Sequence, residues 1–446
     1  MKRKIKLVVT SKKNSLVNCG DIPFTKDTIG IENKLINIYP DIEYQSIEGF
    51  GGALTEAVAV TLDKAGKKIR ERVLRDYFDP KAGLNYNLCR THINSCDFST
   101  ENYHYTQKND YKLQTFDIKR DKQLLIPLIN DAQKIRGEKI NMLSSPWSPP
   151  DWMKTTGRMN QGGKLKPDCR KVWAEYYSKY IEAYEKENVK IKYLTVQNEP
   201  KAKQSWDSCI YTAEEEKCFV KNYLGPSLKR NGHKDVRLLV WDHNKERVFE
   251  RGNAILSDPF AAEYIWGTAF HWYSGDHFEA LSLLHEKFPD KGLIFTEGCL
   301  SHPESNEWSK GEKYAHDIIG NLNNWAQGFI DWNIALDRQG GPNHVGNFCD
   351  APIIVDTTRK KIIYKPSFYY IAHFSKFINP GSKRIAFSKY TSKLEVTAVK
   401  NLDESIAVIV MNSSDDNMDF ILRCKGYIAN FAISKHSIVT LLFKNF

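Results

Sequence analysis

Along residues 45–377, short apolar runs alternate with stretches that repeat an apolar residue every three or four positions. That is the strand–helix rhythm of a parallel sheet covered by helices. Eight runs are apolar enough to predict strands, at 46–51, 86–91, 139–145, 192–197, 237–242, 268–273, 293–297 and 328–336. Amphipathic segments lie between them, at 172–187, 213–228 and 277–288 among others. Eight strands interleaved with helices are what a (β/α)8 TIM barrel requires, so an α/β barrel is the expected fold.

Beyond Pro380 and Gly381 the period changes to two, predicting strands at 393–400, 405–412, 418–423 and 437–443 with polar turns such as 413–417 between them. The first 44 residues are also strand-like and carry no helical period. The expected organisation is therefore a β-sandwich built from residues 1–44 and 380–446, with the catalytic barrel, 45–379, inserted between them. A chain of 446 residues exceeds a single hydrophobic core, which agrees with a barrel plus a smaller module.

Composition narrows the class. Hydrophobic residues make up 41% and charged residues 26%, which places the chain among globular proteins. The 22 Tyr, 22 Phe and 10 Trp supply core, and exposed rings also stack on sugar faces. A net charge of +10 comes from 64 basic residues against 54 acidic ones, but the basic residues are dispersed and their densest runs, 2–6 and 64–72, read as solvated faces. No nucleic-acid partner is expected. Nine cysteines at irregular spacing, without a C-x-x-C pair, argue for reduced thiols and against a disulfide framework or a zinc cage. The N-terminal MKRKIKLVVTSKKNSL has too short an apolar run for a secretory signal, and no stretch approaches the roughly 18 apolar residues of a membrane span. These features predict a soluble, cytoplasmic protein with no transmembrane segment.

In a barrel of this kind the active site lies where the strands end. Around those ends stand Arg90 and Asp97 (strand two), Trp147 (three), Asn198 and Glu199 (four), His271 and Tyr273 (six), Glu297 (seven), and Trp332 and Asn333 (eight). Two of them are carboxylates on apolar strands, Glu199 in YLTVQNEP and Glu297 in LIFTEGC. Glycoside hydrolysis uses such a pair, one carboxyl protonating the leaving oxygen and the other, about 5–5.5 Å away in retaining enzymes, attacking the anomeric carbon. Asn198, beside Glu199, can donate its amide to a sugar hydroxyl. Arg90 can hold a nucleophilic carboxylate ionised and His271 can orient a neighbour, although structural roles suit both equally. Cys299 follows Glu297 by two positions, but no His-based arrangement accompanies it, so no thiol mechanism is expected.

Long motifs in order add a resemblance. They are SIEGFGGALTEA, CDFS around Asp97, SSPWSPPDWMK from Ser144, TVQNEP at Glu199, FHWYSG from Phe270, FTEGC at Glu297, DWNIALD from Asp331, GGPNHVGNF from Gly340, and PIIVD through HFSKFI. Over nearly its whole length the chain resembles glycoside hydrolase family 30, in its glucosylceramidase (acid β-glucosidase) branch. The resemblance implies a barrel with an attached β-sandwich, retention of configuration, and no metal or cofactor. It implies Glu199 as acid/base, Glu297 as nucleophile, Tyr273 hydrogen-bonded to that nucleophile, and a glucose pocket of Asp97, Trp147, Asn198, Trp332 and Asn347. The implied substrate is a β-glycoside or glycolipid such as glucosylceramide, in sphingolipid breakdown, with transient contact to a lipid surface. Other specificities of the family (β-xylosidase, β-fucosidase, β-1,6-glucanase) and a non-catalytic carbohydrate-binding relative are the alternatives. The chain departs from the glucosylceramidase pattern at His344, where a tryptophan is expected, and in lacking an evident signal peptide or extracellular disulfide set. Those departures suit an intracellular enzyme with a simpler glycan or alkyl leaving group.

Overall fold

The computed structural model describes residues 3–301 and 307–444. Within those residues the chain forms two compact units, one gathering 3–50, 307–328 and 364–444, the other 51–301 and 329–363.

A closed barrel of eight strands carries the candidate chemistry: β1 (Gly49–Ala53), β2 (Leu88–Ile93), β3 (Asn141–Pro146), β4 (Ile191–Thr195), β5 (Arg237–Asn244), β6 (Ile265–His271), β7 (Gly292–Glu297) and β8 (Gly328–Asn333). Strands β2, β7 and β8 are buried at every position, which is why they read as continuous apolar runs and not as alternating ones. Leu88, Leu143, Tyr193, Leu239, Ala269, Ile294 and Ile330, one from each of β2 to β8, pack as a single layer. This is the side-chain filling that makes such a barrel solid instead of a pore.

The ladders slip near the strand ends. Ala269 of β6 faces Trp241 of β5, yet the next residue, Phe270, faces His243, so Asp242 is the extra residue of a bulge. Trp241 and Asp242 accordingly have φ of 73° and 50°. A second slip sets His271 opposite Glu297. Bulges of this kind re-aim side chains at the rim of a barrel.

Three elements end earlier than the hydrophobic pattern suggests. Strand β4 stops at Thr195, because the Asn198 N–H turns to the Pro146 carbonyl (2.9 Å) and the Glu199 N–H to that of Asp242 (3.0 Å). Strand β6 stops at His271, which leaves Tyr273 on the following turn. Strand β8 stops at Asn333, and Ala335–Asp337 leaves the barrel to pair in parallel with Ile353–Asp356. The helix expected over 213–228 is interrupted by a π-helical stretch, Val220–Leu224, just before Gly225 and Pro226. Pro226 has no N–H to donate to the preceding turn, and a wider turn accommodates the loss.

In the other unit, both chain ends enter one ten-stranded sheet, in the order Asn14–Pro23, Lys4–Ser11, Ser437–Phe443, Ile406–Asn412, Leu394–Lys400, Lys383–Lys389, Leu35–Ser46, Met418–Cys424, Tyr427–Ile433 and Thr25–Lys26. The N-terminal strand Lys4–Ser11 runs antiparallel to Ser437–Phe443. The sheet closes over a shared core in which Ile5, Leu394, Val408, Phe420, Leu422 and Leu441 meet, which makes it a sandwich. Strand Ile406–Asn412 is buried throughout because helix Glu307–Asn323 also packs against it. Among the described residues, no helix is long and apolar enough to cross a membrane.

Candidate active site

The ends of β2 to β8 open into a cleft of about 340 Å³. Asp97, Trp147, Asn198, Glu199, Tyr273, Glu297, Trp332 and Asn347 line it together. Arg90 and His271 lie directly beneath, both fully buried. These ten residues therefore converge on one place, whereas Asn333, also singled out at a strand end, is buried away from the lining and accepts from Thr55 Oγ1 at 2.5 Å. A larger groove of about 450 Å³ runs between helices Lys67–Phe78 and Leu125–Arg136, but its four acidic and arginine side chains pair with one another (Arg70 with Asp131, Arg75 with Glu71) and no strand end lines it.

Glu297 ends β7 and is only 7% exposed. Arg90 donates from Nη1 to its Oε2 at 2.7 Å, and Tyr273 donates from its hydroxyl to Oε1 at 2.9 Å. Gly298 follows because a Cβ there would stand 2.7 Å from the rings of both Phe295 and Trp272. The turn after Glu297 is thus seated on packed aromatics that exclude any side chain.

Glu199 stands differently. It lies beyond its strand with φ of 47°, in the left-handed region that is uncommon for residues other than glycine. The preceding Asn198 accepts from Arg90 Nη2 at 2.9 Å, which fixes its side chain and leaves its amide nitrogen for a ligand hydroxyl. The neighbours of Glu199 Oε1 are two histidines, His271 Nδ1 at 3.4 Å and His243 Nε2 at 3.8 Å. One oxygen of Glu199, one of Glu297 and a ring nitrogen of His271 all lie within 4.8 Å of one another.

Asp242, the bulge residue of β5, organises these groups, and the strand-end survey did not single it out. Its carboxylate receives Arg90 Nη2 (2.7 Å), Thr195 Oγ1 (2.7 Å) and Thr296 Oγ1 (2.6 Å), and contacts His271 Nε2 (3.0 Å). Because it closes the apolar run RLLVWD, the rule that found Glu199 and Glu297 also reaches it. Burial opposes its charge, yet Arg90 and His271 hold its carboxyl far below the usual range. Asp242 is thus a fixed anion.

That anion decides the state of His271. Burial disfavours a charged ring, but the carboxylates of Glu297, Asp242 and Glu199 outweigh it and push the imidazole up to about 9. Burial also raises Glu199, but His271 and His243 more than reverse this and bring it below its ordinary value. Glu297 goes the other way, raised by burial and by the charge of Glu199 against the pull of His271 and Arg90. The two carboxyls therefore titrate as a pair around a protonated ring. Their spacing would also suit a cation, but a guanidinium and an imidazolium already occupy that role.

The opposite wall is shaped for a sugar. Trp147 and Trp332 stack at 5.2 Å with the Arg90 guanidinium 4.7 Å over Trp147, so two indole faces and a cation form the floor. Asp97 accepts from Asn347 Nδ2 at 3.1 Å, and Asn347 rides on the 338–352 loop that the Ala335–Asp337 strand sends out. Burial and the charge of Glu297 push Asp97 up to about 8. His344, in place of the expected tryptophan, ties the same loop to the Asp97 segment: its N–H reaches the Asp97 carbonyl at 3.3 Å and its ring the Ser99 carbonyl at 3.2 Å. Gln204, Trp206, His243, Asn244, Leu300 and Phe348 also line the cleft. None of these six follows directly from a strand-end pattern except His243 and Asn244, which close β5.

Comparison with known proteins places these features. The sequence matches the glycosyl hydrolase family 30 TIM-barrel domain over residues 47–378 and the family 30 beta sandwich domain over 381–441. It is 36% identical over 404 residues to the lysosomal acid glucosylceramidase of Mus musculus, covering 86% of this chain and 78% of that one. The structure of SrfJ from Salmonella typhimurium is similar with a TM-score of 0.96 and 34% identity, covering 99% of this chain and all of the other. A solved endo-beta1,6-glucanase is similar with a TM-score of 0.88 and 27% identity over the full length of both chains.

Proposed function

The chain belongs to glycosyl hydrolase family 30, and on that premise we propose that it hydrolyses β-glucosides with retention, Glu297 as the nucleophile and Glu199 as the acid/base. The observation that supports this most is the unequal dress of two carboxylates whose oxygens come within 4.8 Å: two donors clamp Glu297, while Glu199 faces histidines. The donors on Glu297 aim it and pull against the burial that raises it, which suits a nucleophile that attacks as the anion. A carboxylate that faces a proton-carrying ring can be loaded and unloaded, as an acid/base must be.

In the first step Glu297 forms a bond to the anomeric carbon while the glycosidic oxygen leaves with the Glu199 proton. In the second, Glu199 takes a proton from water, and the water oxygen displaces Glu297. A sugar in the cleft removes water from Glu199 and so weakens its ionisation, which favours moving the His271 proton across 3.4 Å onto it. Asp97, with Asn198 and the Trp147–Trp332 floor, holds the hydroxyls and C–H face of the ring.

For the leaving group, we read a glycolipid of the glucosylceramide kind. Similarity to the mouse glucosylceramidase supports it, as do Trp206, Leu300 and Phe348 in the cleft lining, which offer apolar surface to a chain and a route to transient contact with a lipid surface. A second reading, a β-1,6-linked glucan, draws on the similarity to a glucanase and on the polar edge of Gln204, His243 and Asn244. The nine cysteines stand as free thiols, which suits the reading of a reducing, intracellular setting. The test is a panel of aryl β-glucoside, xyloside, fucoside and galactoside beside glucosylceramide and a β-1,6-glucan, with proton NMR of the first anomer released. Turnover of the glucoside with β-glucose formed first is expected. First release of α-glucose would remove the retaining mechanism, and preference for another sugar would remove the glucoside reading.

A further inference from the structure

The wall of the cleft contains a pair of nucleophiles that glycoside chemistry does not use. Cys299, two residues beyond Glu297, lies with its Sγ 3.3 Å from that of Cys349, two residues beyond Asn347. The chains that carry them run side by side: Ser301 and Cys349 form an antiparallel bridge, and the Asp350 N–H meets the Leu300 carbonyl at 2.7 Å. Both cysteines line the cleft, and both pack in the apolar cluster of Trp147, Trp332 and Phe98. The Cys299 sulfur also sits 3.4 Å from the Tyr273 hydroxyl, the group that donates to Glu297.

From this geometry we propose that Cys299 and Cys349 form a reversible dithiol–disulfide modification site, oxidised by a small peroxide that enters the cleft, and that oxidation slows the enzyme. Cys299 donates its S–H toward Cys349 and Cys349 toward the Asn347 carbonyl, so the two thiols already lie in line. The Cys349 sulfur, as thiolate, attacks one oxygen of the peroxide, giving a sulfenic acid and, once protonated, water. Cys299 then gives up its proton and attacks the sulfenic sulfur, forming the S–S bond and releasing a second water. In sum two thiols and one hydrogen peroxide give one disulfide and two waters. The hydrogen bond to Cys349 and burial push the Cys299 thiol up and keep it protonated, which suits it to the second attack.

The consequence follows from what each cysteine is attached to. A disulfide of about 2.05 Å must draw the two sulfurs more than 1 Å closer than they stand. It pulls one sulfur away from Tyr273 and ties the segment of the nucleophile to the segment whose Asn347 holds Asp97. Displacements of about 1 Å near reacting atoms cost up to ~100-fold in rate, and a loss of about tenfold in kcat/KM is expected here.

The test is to treat the full-length protein with hydrogen peroxide, alkylate it, digest it without reduction and analyse the peptides by mass, assaying an aryl β-glucoside in parallel. A peptide pair linked through Cys299 and Cys349, lighter by two hydrogens, is expected, with a loss of kcat/KM that dithiothreitol restores. In Cys349→Ser and Cys349→Val the linked pair and the restorable part of the loss are both expected to vanish. Two separately alkylated thiols under conditions that oxidise the exposed Cys19 would overturn the site. A linked pair without restorable loss, or the same restorable loss in Cys349→Ser, would overturn its effect on rate. The cross-link is read by mass alone, so it stands or falls independently of the substrate reading.

Discussion

Glu199 and Glu297 are the same residue type, at the ends of two strands of one barrel, yet their surroundings have little in common. Glu297 ends its strand, sits over packed rings and is gripped by Arg90 and Tyr273. Glu199 lies past its strand on a strained turn and meets two imidazoles. The lesson is that role comes from the donors around a carboxyl more than from the carboxyl itself. Fixed cationic and hydroxyl donors make an aimed anion, whereas a titratable neighbour makes a proton carrier.

The strongest way to break the contrast is to remove the aimed anion. Glu297→Gln keeps the shape but replaces one of the two accepting oxygens, and with it the attacking anion, by an amide nitrogen, and is expected to lower kcat by at least ~10⁴-fold while the far-UV circular dichroism stays unchanged. Near-normal turnover would end the assignment. Glu199→Ala is expected to cost less, about 10²–10⁴-fold on substrates with poor leaving groups, and little in the first step when the leaving group is activated. Azide sharpens the distinction: it should restore turnover of an activated aryl glucoside in Glu199→Ala with β-glucosyl azide as product, whereas azide acting in Glu297→Ala should give the α-azide. The same anomer from both variants would contradict the division of labour.

Smaller changes probe the surroundings. Tyr273→Phe deletes one donor to Glu297 and is expected to lower kcat by about 10²-fold, the cost of one lost donor to a developing or fixed anion. Losing that donor also raises Glu297 further, so the acid limb of kcat/KM should shift to higher pH; an unmoved limb would show that Tyr273 does not act through Glu297. The smallest expected change in rate belongs to His271. Its ring is raised to about 9 and the protonated form is the useful one, so activity is full below that pH and lost as pH rises through it. In His271→Asn the alkaline limb should fall to lower pH, with less than about tenfold loss at the optimum. An alkaline limb that stays in place would assign it to another group.

Much of this was legible in the residues because barrels put chemistry at strand ends. The apolar runs locate the strands, and Asn198, Glu199, Glu297 and Trp332 stand at or just beyond their ends. What the pattern does not show is everything that depends on a ladder slipping. Asp242 gains its place from a bulge that no periodicity announces, and Tyr273 reaches Glu297 only because β6 ends two residues before it. In the sandwich, Tyr427–Ile433 and Lys383–Lys389 are strands beyond the four expected after residue 380, short runs whose pairing with Met418–Cys424 and with Leu35–Ser46 is set by partners distant in sequence. The Cys299–Cys349 contact joins residues 50 positions apart and could not be read from spacing.

The most direct test of the unequal pair is to trap the covalent intermediate. A 2-deoxy-2-fluoro-β-glucoside with an activated leaving group slows both steps but the second more, so the glycosyl-enzyme should accumulate and be found by peptide mass analysis. The expected result is one sugar per chain, attached to Glu297 in the peptide that contains LIFTEGC, and release on adding an acceptor. A label on Glu199, or rapid turnover with no label on any carboxylate, would contradict the account.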